Sequence, residues 1–184
     1  MRTFASLRIT AILLPLIALF LGGCTKQQQE EVESRTVVDI TYPAIPFTID
    51  SGDVSGQYEV NLAVDPAVLA QVMTAHNYSI AQLADFTFTK ANLFLTSPVT
   101  GNYNALQSVT LQVAVDQSPP VTVASLNPVP SSAQTLILHM GDADVLDLMK
   151  SSNVHFIFKV QLDGPLPPVS GHSLVLGAKL GVKL

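Results

Sequence analysis

Four histidines, a run of aspartates and a scatter of serines are the side chains in this 184-residue chain whose types suit chemistry. The densest polar cluster is His139-Met140-Gly141-Asp142-Ala143-Asp144-Val145-Leu146-Asp147. His139, Asp142 and Asp144 are the imidazole and carboxylate ligands that a divalent cation would need, and such an ion would support a metal-assisted hydrolase. The calcium-loop pattern fails, however. Leu146 stands where a ligand is required, and neither the glycine nor the terminal glutamate follows at the right offset. A turn glycine followed by helix-capping carboxylates accounts for the same residues, so neither a metal nor any other cofactor is assigned. His76, His139, His155 and His172 lack the close spacing of a zinc site. His155 lies between Val154 and Phe156 in an alternating run, which points it at solvent.

Hydrolysis through a nucleophile needs a hydroxyl or thiol beside a base. The serines stand in no Gly-x-Ser-x-Gly elbow, and Ser51-Gly52, Ser55-Gly56 and Ser170-Gly171 read as turns. Glu59 is the only glutamate after Glu33, so a glycosidase pair would have to be built from aspartates. The chain is therefore read as non-enzymatic, with no catalytic residue. Sugar-binding surfaces usually offer flat aromatic platforms, and this chain has no tryptophan. Of its tyrosines, Tyr42, Tyr78 and Tyr103 are expected to be exposed. Tyr103, in the loop-like stretch Thr100-Gly101-Asn102-Tyr103-Asn104, is the best single contact for a glycan or a small hydrophobic ligand. A tyrosine that merely covers one end of the fold is the competing reading.

The only cysteine is Cys24. It closes a stretch with the layout of an export signal: Arg2 and Arg8, then the apolar run from Ile9 to Leu21, then Gly22 and Gly23. The run is shorter than the roughly 20 apolar residues that span a bilayer, and Pro15 interrupts it. Leu21-Gly22-Gly23-Cys24 resembles the lipobox of bacterial lipoproteins. The resemblance implies that residues 1–23 are removed and that Cys24 carries a diacylglycerol, with its new amine acylated as well. Two or three acyl chains anchor stably where one holds only marginally. Thr25, standing where an aspartate would favour the inner membrane, implies the outer membrane. Lys26, Glu30 and Glu31 loosely resemble a surface-export signal, but Gln27, Gln28 and Gln29 depart from it. Both the periplasmic face and the cell surface stay open. The expected partners are the membrane, through the anchor, and an envelope protein or glycan.

Loss of the leader takes Arg2 and Arg8 with it, moving the formal charge two units below its value of −5. An acidic chain with scattered basic residues is a poor partner for nucleic acid. The remaining length of about 160 residues suits one domain. With no second cysteine, stability must come from an apolar core and a hydrogen-bonded sheet. Thr25 to Arg35 is too polar to offset its ordering entropy and is read, with Cys24, as a flexible tether over residues 24–35. Fully extended, it reaches at most about 35–40 Å.

Residues 36–184 form the single domain. From Thr36 the apolar period is two. Thr36–Thr41 and Ile45–Asp50, separated by prolines, suit an edge. Tyr58–Val64, Phe86–Leu95, Val109–Val115, Val121–Val123, Leu136–Leu138, Val154–Leu162 and Leu174–Val182 continue the alternation. The phase slips between Phe88 and Leu93, predicting a β-bulge near Lys90-Ala91. Asp65-Pro66 begins a short helix with an apolar stripe at Leu69, Val72 and Met73. Ser79 and Gln82 have capping-box spacing, and Asp144 would cap a turn through Lys150. About nine short strands with two or three short helices predict a mainly β fold, an antiparallel β-sandwich. A closed barrel would alternate in the same way. A transmembrane barrel is excluded by the polar outer rows and the lack of aromatic girdles.

Overall fold

A computed structural model describes residues 35–50, 56–65, 67–116, 118–164 and 169–184. The leader, Cys24 and nearly all of the tether lie outside the described residues. The strands are β1 (Arg35–Thr41), β2 (Ile45–Asp50), β3 (Gln57–Ala63), β4 (Leu83–Ser97), β5 (Leu106–Ala114), β6 (Val121–Leu126), β7 (Thr135–Ile137), β8 (His139–Met140), β9 (His155–Leu162) and β10 (Val169–Lys183). Helix α1 covers Ala67–Ala75, a 3-10 turn covers Ile80–Gln82, and α2 is the single turn Leu146–Met149. None of the helices among the described residues is long and apolar enough to cross a membrane.

Two antiparallel five-stranded sheets pack face to face, as the period-two pattern predicts. In the first, β10 pairs with β4 along one side; on its other side β1 pairs with Gly177–Lys183 and β2 with Val169–Leu174. Both proline-flanked strands therefore lie at the edge. Arg35 pairs with Lys183, so the sheet begins one residue inside the expected tether. The second sheet runs β3-β9-β5-β6-β8. Phe156, Phe158, Val160 and Leu162 from β9 meet Leu174, Leu176, Ala178, Leu180 and Val182 from β10 in one buried core.

The run from Leu136 to Met140 does not stay in one sheet. β7 pairs with Asn92–Phe94 of β4, and Leu138 N–H donates to Ala91 O at 2.9 Å. The chain then crosses over: β8 pairs with Ala124 and Ser125 of β6, and Gly141 N–H donates to Val123 O at 2.8 Å. β8 thus lies just beyond the alternating run Leu136–Leu138, and it brings the described strands to ten where about nine were expected.

The local signals behave as their chemistry requires. Asp65 Oδ1 accepts from Ala67 N–H at 2.8 Å, and the helix it caps buries Leu69 and Met73. Asn77, with φ of 62°, ends that helix in a Schellman motif: its N–H donates to Thr74 O, and Tyr78 N–H donates to Met73 O at 2.8 Å. Gln82 Oε1 reaches back to Ser79 N–H at 2.9 Å.

The β4–β10 register slips three times, each time with an extra residue on β4: Ala84, Thr89 and Thr96. The middle slip is the bulge near Lys90-Ala91. Gly181, Gly177 and Gly171 stand at the three slips on β10. Their row faces away from the core, where the bulged strand presses closest. A Cβ on Gly181 would come within 2.8 Å of Asp85 Cβ, too near its backbone to swing aside. Gly181→Ala is therefore expected to destabilise the domain by about 1–3 kcal/mol in urea unfolding. Gly141→Ala, whose Cβ would meet Val123 O at an ordinary 3.6 Å, should stay within about 0.5 kcal/mol. Equal losses at the two positions would contradict the close-approach account.

Candidate functional site

Polar side chains converge most closely inside the sandwich. Even-numbered residues of β10 face the core, and the row that carries Leu174 to Val182 begins with Ser170 and His172. Ser170 is 1% exposed, His172 2% and Tyr103 1%. The Tyr103 hydroxyl lies 3.2 Å from His172 Nδ1, and Ser170 Oγ lies 2.8 Å from His172 Nε2. Ser170 Oγ also donates to Ile49 O at 3.5 Å. Phe47 stacks on the imidazole at 5.1 Å between centroids, and Phe158 from the facing sheet lies 5.3 Å beyond.

One proton arrangement gives every donor an acceptor. Tyr103 O–H donates to Nδ1, Nε2–H donates to Ser170 Oγ, and Ser170 O–H donates to Ile49 O. The reverse tautomer leaves the tyrosine proton unpaired in the core, at a cost of about 1–3 kcal/mol. In the favoured arrangement the imidazole lone pair belongs to Tyr103, so Ser170 has no base. A serine–histidine contact of catalytic length here closes a neutral hydrogen-bond chain. Burial pushes His172 down from 6.5 to about 4 and pushes the Tyr103 hydroxyl up.

This corrects the expectation that Tyr103 is exposed. The loop Thr100–Asn104 is polar, but its backbone is tied inward. Tyr103 N–H donates to Ala133 O at 2.8 Å, Ser132 N–H donates to Asn104 Oδ1, and Gln134 Nε2 donates to Val99 O and Gly101 O. The ring turns into the core, where His172 Nδ1 is the polar partner of its hydroxyl. Tyr42 is buried too, at 3% exposed, and its hydroxyl has no partner among the described residues. Tyr78 is half-buried.

Among the described residues, no three His, Cys, Asp or Glu side chains converge on a metal-holding point. Asp144 Oδ1 accepts from Leu146 N–H at 3.0 Å in a turn just ahead of α2, whose N-cap position is Val145 rather than the expected Asp144. His76 and His139 are exposed, and His155 is half-buried rather than open to solvent. Glu59 pairs with Lys159 across β3 and β9 at 3.1 Å.

Concave features open to the surface among the described residues. A groove of about 290 Å³ runs between Ala84–Phe88 of β4 and the segment Gly141–Asp144, with Val123 and Leu146 also lining it. A second hollow of about 260 Å³ lies between Tyr42–Pro46 and Val64, Asp65 and Val68. None of Ser170, His172 and Tyr103 lines either one. The sequence carried a signal for the buried histidine: counting back by twos from Leu174 puts His172 and Ser170 on the inner face. No protein-family model matches the chain, and no curated protein sequence matches it.

The two buried tyrosines should respond oppositely to loss of their hydroxyls. Tyr103→Phe leaves His172 Nδ1 unpaired and is expected to cost about 1–3 kcal/mol, whereas Tyr42→Phe removes an unpaired group and should be neutral or stabilising. Urea midpoints of the two variants make the comparison; a larger loss for Tyr42→Phe would refute the pairing described.

A pH dependence follows from the neutral imidazole. The folded state takes up the His172 proton only near pH 4, the unfolded state near 6.5. The stability from keeping it neutral is whole above about pH 6.5. It is lost as pH falls from 6.5 towards 4, in total about 2–3 kcal/mol. Urea midpoints at pH 7 and pH 4.5 should therefore differ more in the native chain than in His172→Leu.

Proposed function

We propose that this chain is a lipid-anchored protein of the bacterial cell envelope whose β-sandwich works by binding or scaffolding rather than by catalysis. The observation that carries the reading is the position of the only cysteine, Cys24, directly after the small residues that close an apolar leader. Acylation there confines the domain to within a few nanometres of the bilayer, so the partners it meets are membrane-bound or envelope components. Thr25 after the cysteine supports the outer membrane.

The binding part of the reading rests on where the reactive side chains sit. The nearest approach to a nucleophile–base pair, Ser170 with His172, is buried and lines neither hollow. The surface offers instead a groove beside a strand and a small, largely apolar hollow, both shapes suited to recognition. Scaffolding needs the polar outer rows and the tether, and glycan or small hydrophobic ligands remain candidate occupants on the same reading.

Mass spectrometry of the protein purified from native membranes tests the anchor. The first residue is expected to be Cys24 bearing two or three acyl chains, and Cys24→Ser should keep residues 1–23 and lose all acyl mass. A processed chain with a free thiol at Cys24 would overturn the proposal.

A further inference from the structure

β4 is a core strand by its side chains and an edge strand by its backbone. Phe86 and Phe88 are buried, and Phe88 packs edge-on against Phe156 of the facing sheet. Yet among the described residues β7 pairs only with Asn92–Phe94, and the chain leaves for the other sheet after Leu138. No described strand continues alongside Leu83–Lys90 on that side.

The register says which main-chain groups are left facing outward. Tyr42 N–H donates to Leu176 O, so the even residues of β10 turn their peptide groups towards β1. The odd residues turn theirs towards β4, where Lys179 faces Thr87 and Gly181 faces Asp85. Phe86 and Phe88 lie out of phase with those two and turn their N–H and C=O groups away from β10. Four main-chain groups thus point towards the groove of about 290 Å³ beside Gly141–Asp144. The two sets are spaced by one strand repeat, about 6.6 Å, which is the spacing an extended peptide presents.

We propose that this edge accepts an extended basic segment of an envelope protein as an added strand. This rests on the binding reading above and names its partner class. Main-chain bonding to Phe86 and Phe88 would supply the affinity, as in other cases of strand addition. Charge supplies the choice of partner. Asp85, Asp142 and Asp144, all exposed, line this groove. A lysine or arginine side chain of the incoming strand would meet them at the rim. A second copy of this acidic chain would oppose carboxylate to carboxylate at the same edge, which the net charge of −5 makes worse.

The test uses the full-length acylated protein in detergent and two capped peptides, Val-Lys-Val-Lys-Val and Val-Glu-Val-Glu-Val, with binding followed by calorimetry and hydrogen exchange. The lysine peptide is expected to bind, to slow exchange at Phe86 and Phe88, and to weaken several-fold on raising the salt. The double variant D142N/D144N should bind it at least fivefold more weakly, asparagine at 144 still being able to accept from Leu146 N–H. The glutamate peptide should not bind. No binding of the lysine peptide, equal binding of both peptides, insensitivity to the double variant, or protection at another edge would each overturn the proposal. Any of these in a chain shown to be acylated at Cys24 leaves the membrane-tether reading standing, so the two failures are distinguishable.

Discussion

Strands β4 and β10 run fifteen residues each, and their pairing does not keep step. Three extra residues on β4 have to be absorbed while Phe86, Phe88, Ala91 and Leu93 all stay on the core side. A bulge restores the phase each time by bending β4 and sharpening its twist. The opposite strand must then yield at the same levels, and glycine at 171, 177 and 181 lets it do so. The remaining strands of that sheet hang on this pair: β1 and β2 on the far side of β10, β7 on part of β4.

The same two strands divide polar from apolar work. β10 carries Ser170 and His172 in a row that elsewhere is leucine, alanine and valine, and the sandwich tolerates them because Tyr103 and Ile49 O complete their hydrogen bonds. A serine and a histidine at 2.8 Å are at this depth part of a buried hydrogen-bond chain. β4, in contrast, holds an ordinary apolar inner row, and no described strand pairs with the outer side of its residues 83–90. Ser170, His172 and Tyr103 are sealed in, while Asp85, Asp142 and Asp144 are exposed.

The fold class was legible because each strand is half-buried, and an inner apolar row writes period two into the sequence. The slip between Phe88 and Leu93 showed as a bulge for the same reason, and Asp65, Ser79 and Asp144 announced turns that depend only on neighbours. What depends on distant partners was not legible. Leu136 and Leu138 alternate as one strand would, and nothing local says that the chain changes sheet directly after them. Tyr103 sits among glycine and asparagine, which predicts a loop correctly and its exposure wrongly, because the direction of the ring is set by His172, 69 residues away. The chain exit at Leu138, invisible in sequence, leaves residues 83–90 of β4 with no paired strand on that side among the described residues.

That open edge links the architecture to the functional reading, and amide exchange resolved residue by residue in the full-length protein tests it most directly. Asp85 and Thr87, bonded to β10, should exchange slowly, while Phe86 and Phe88 between them exchange quickly although their rings are in the core. Uniform protection from 85 to 88 would mean that the edge is already paired, contradicting the account.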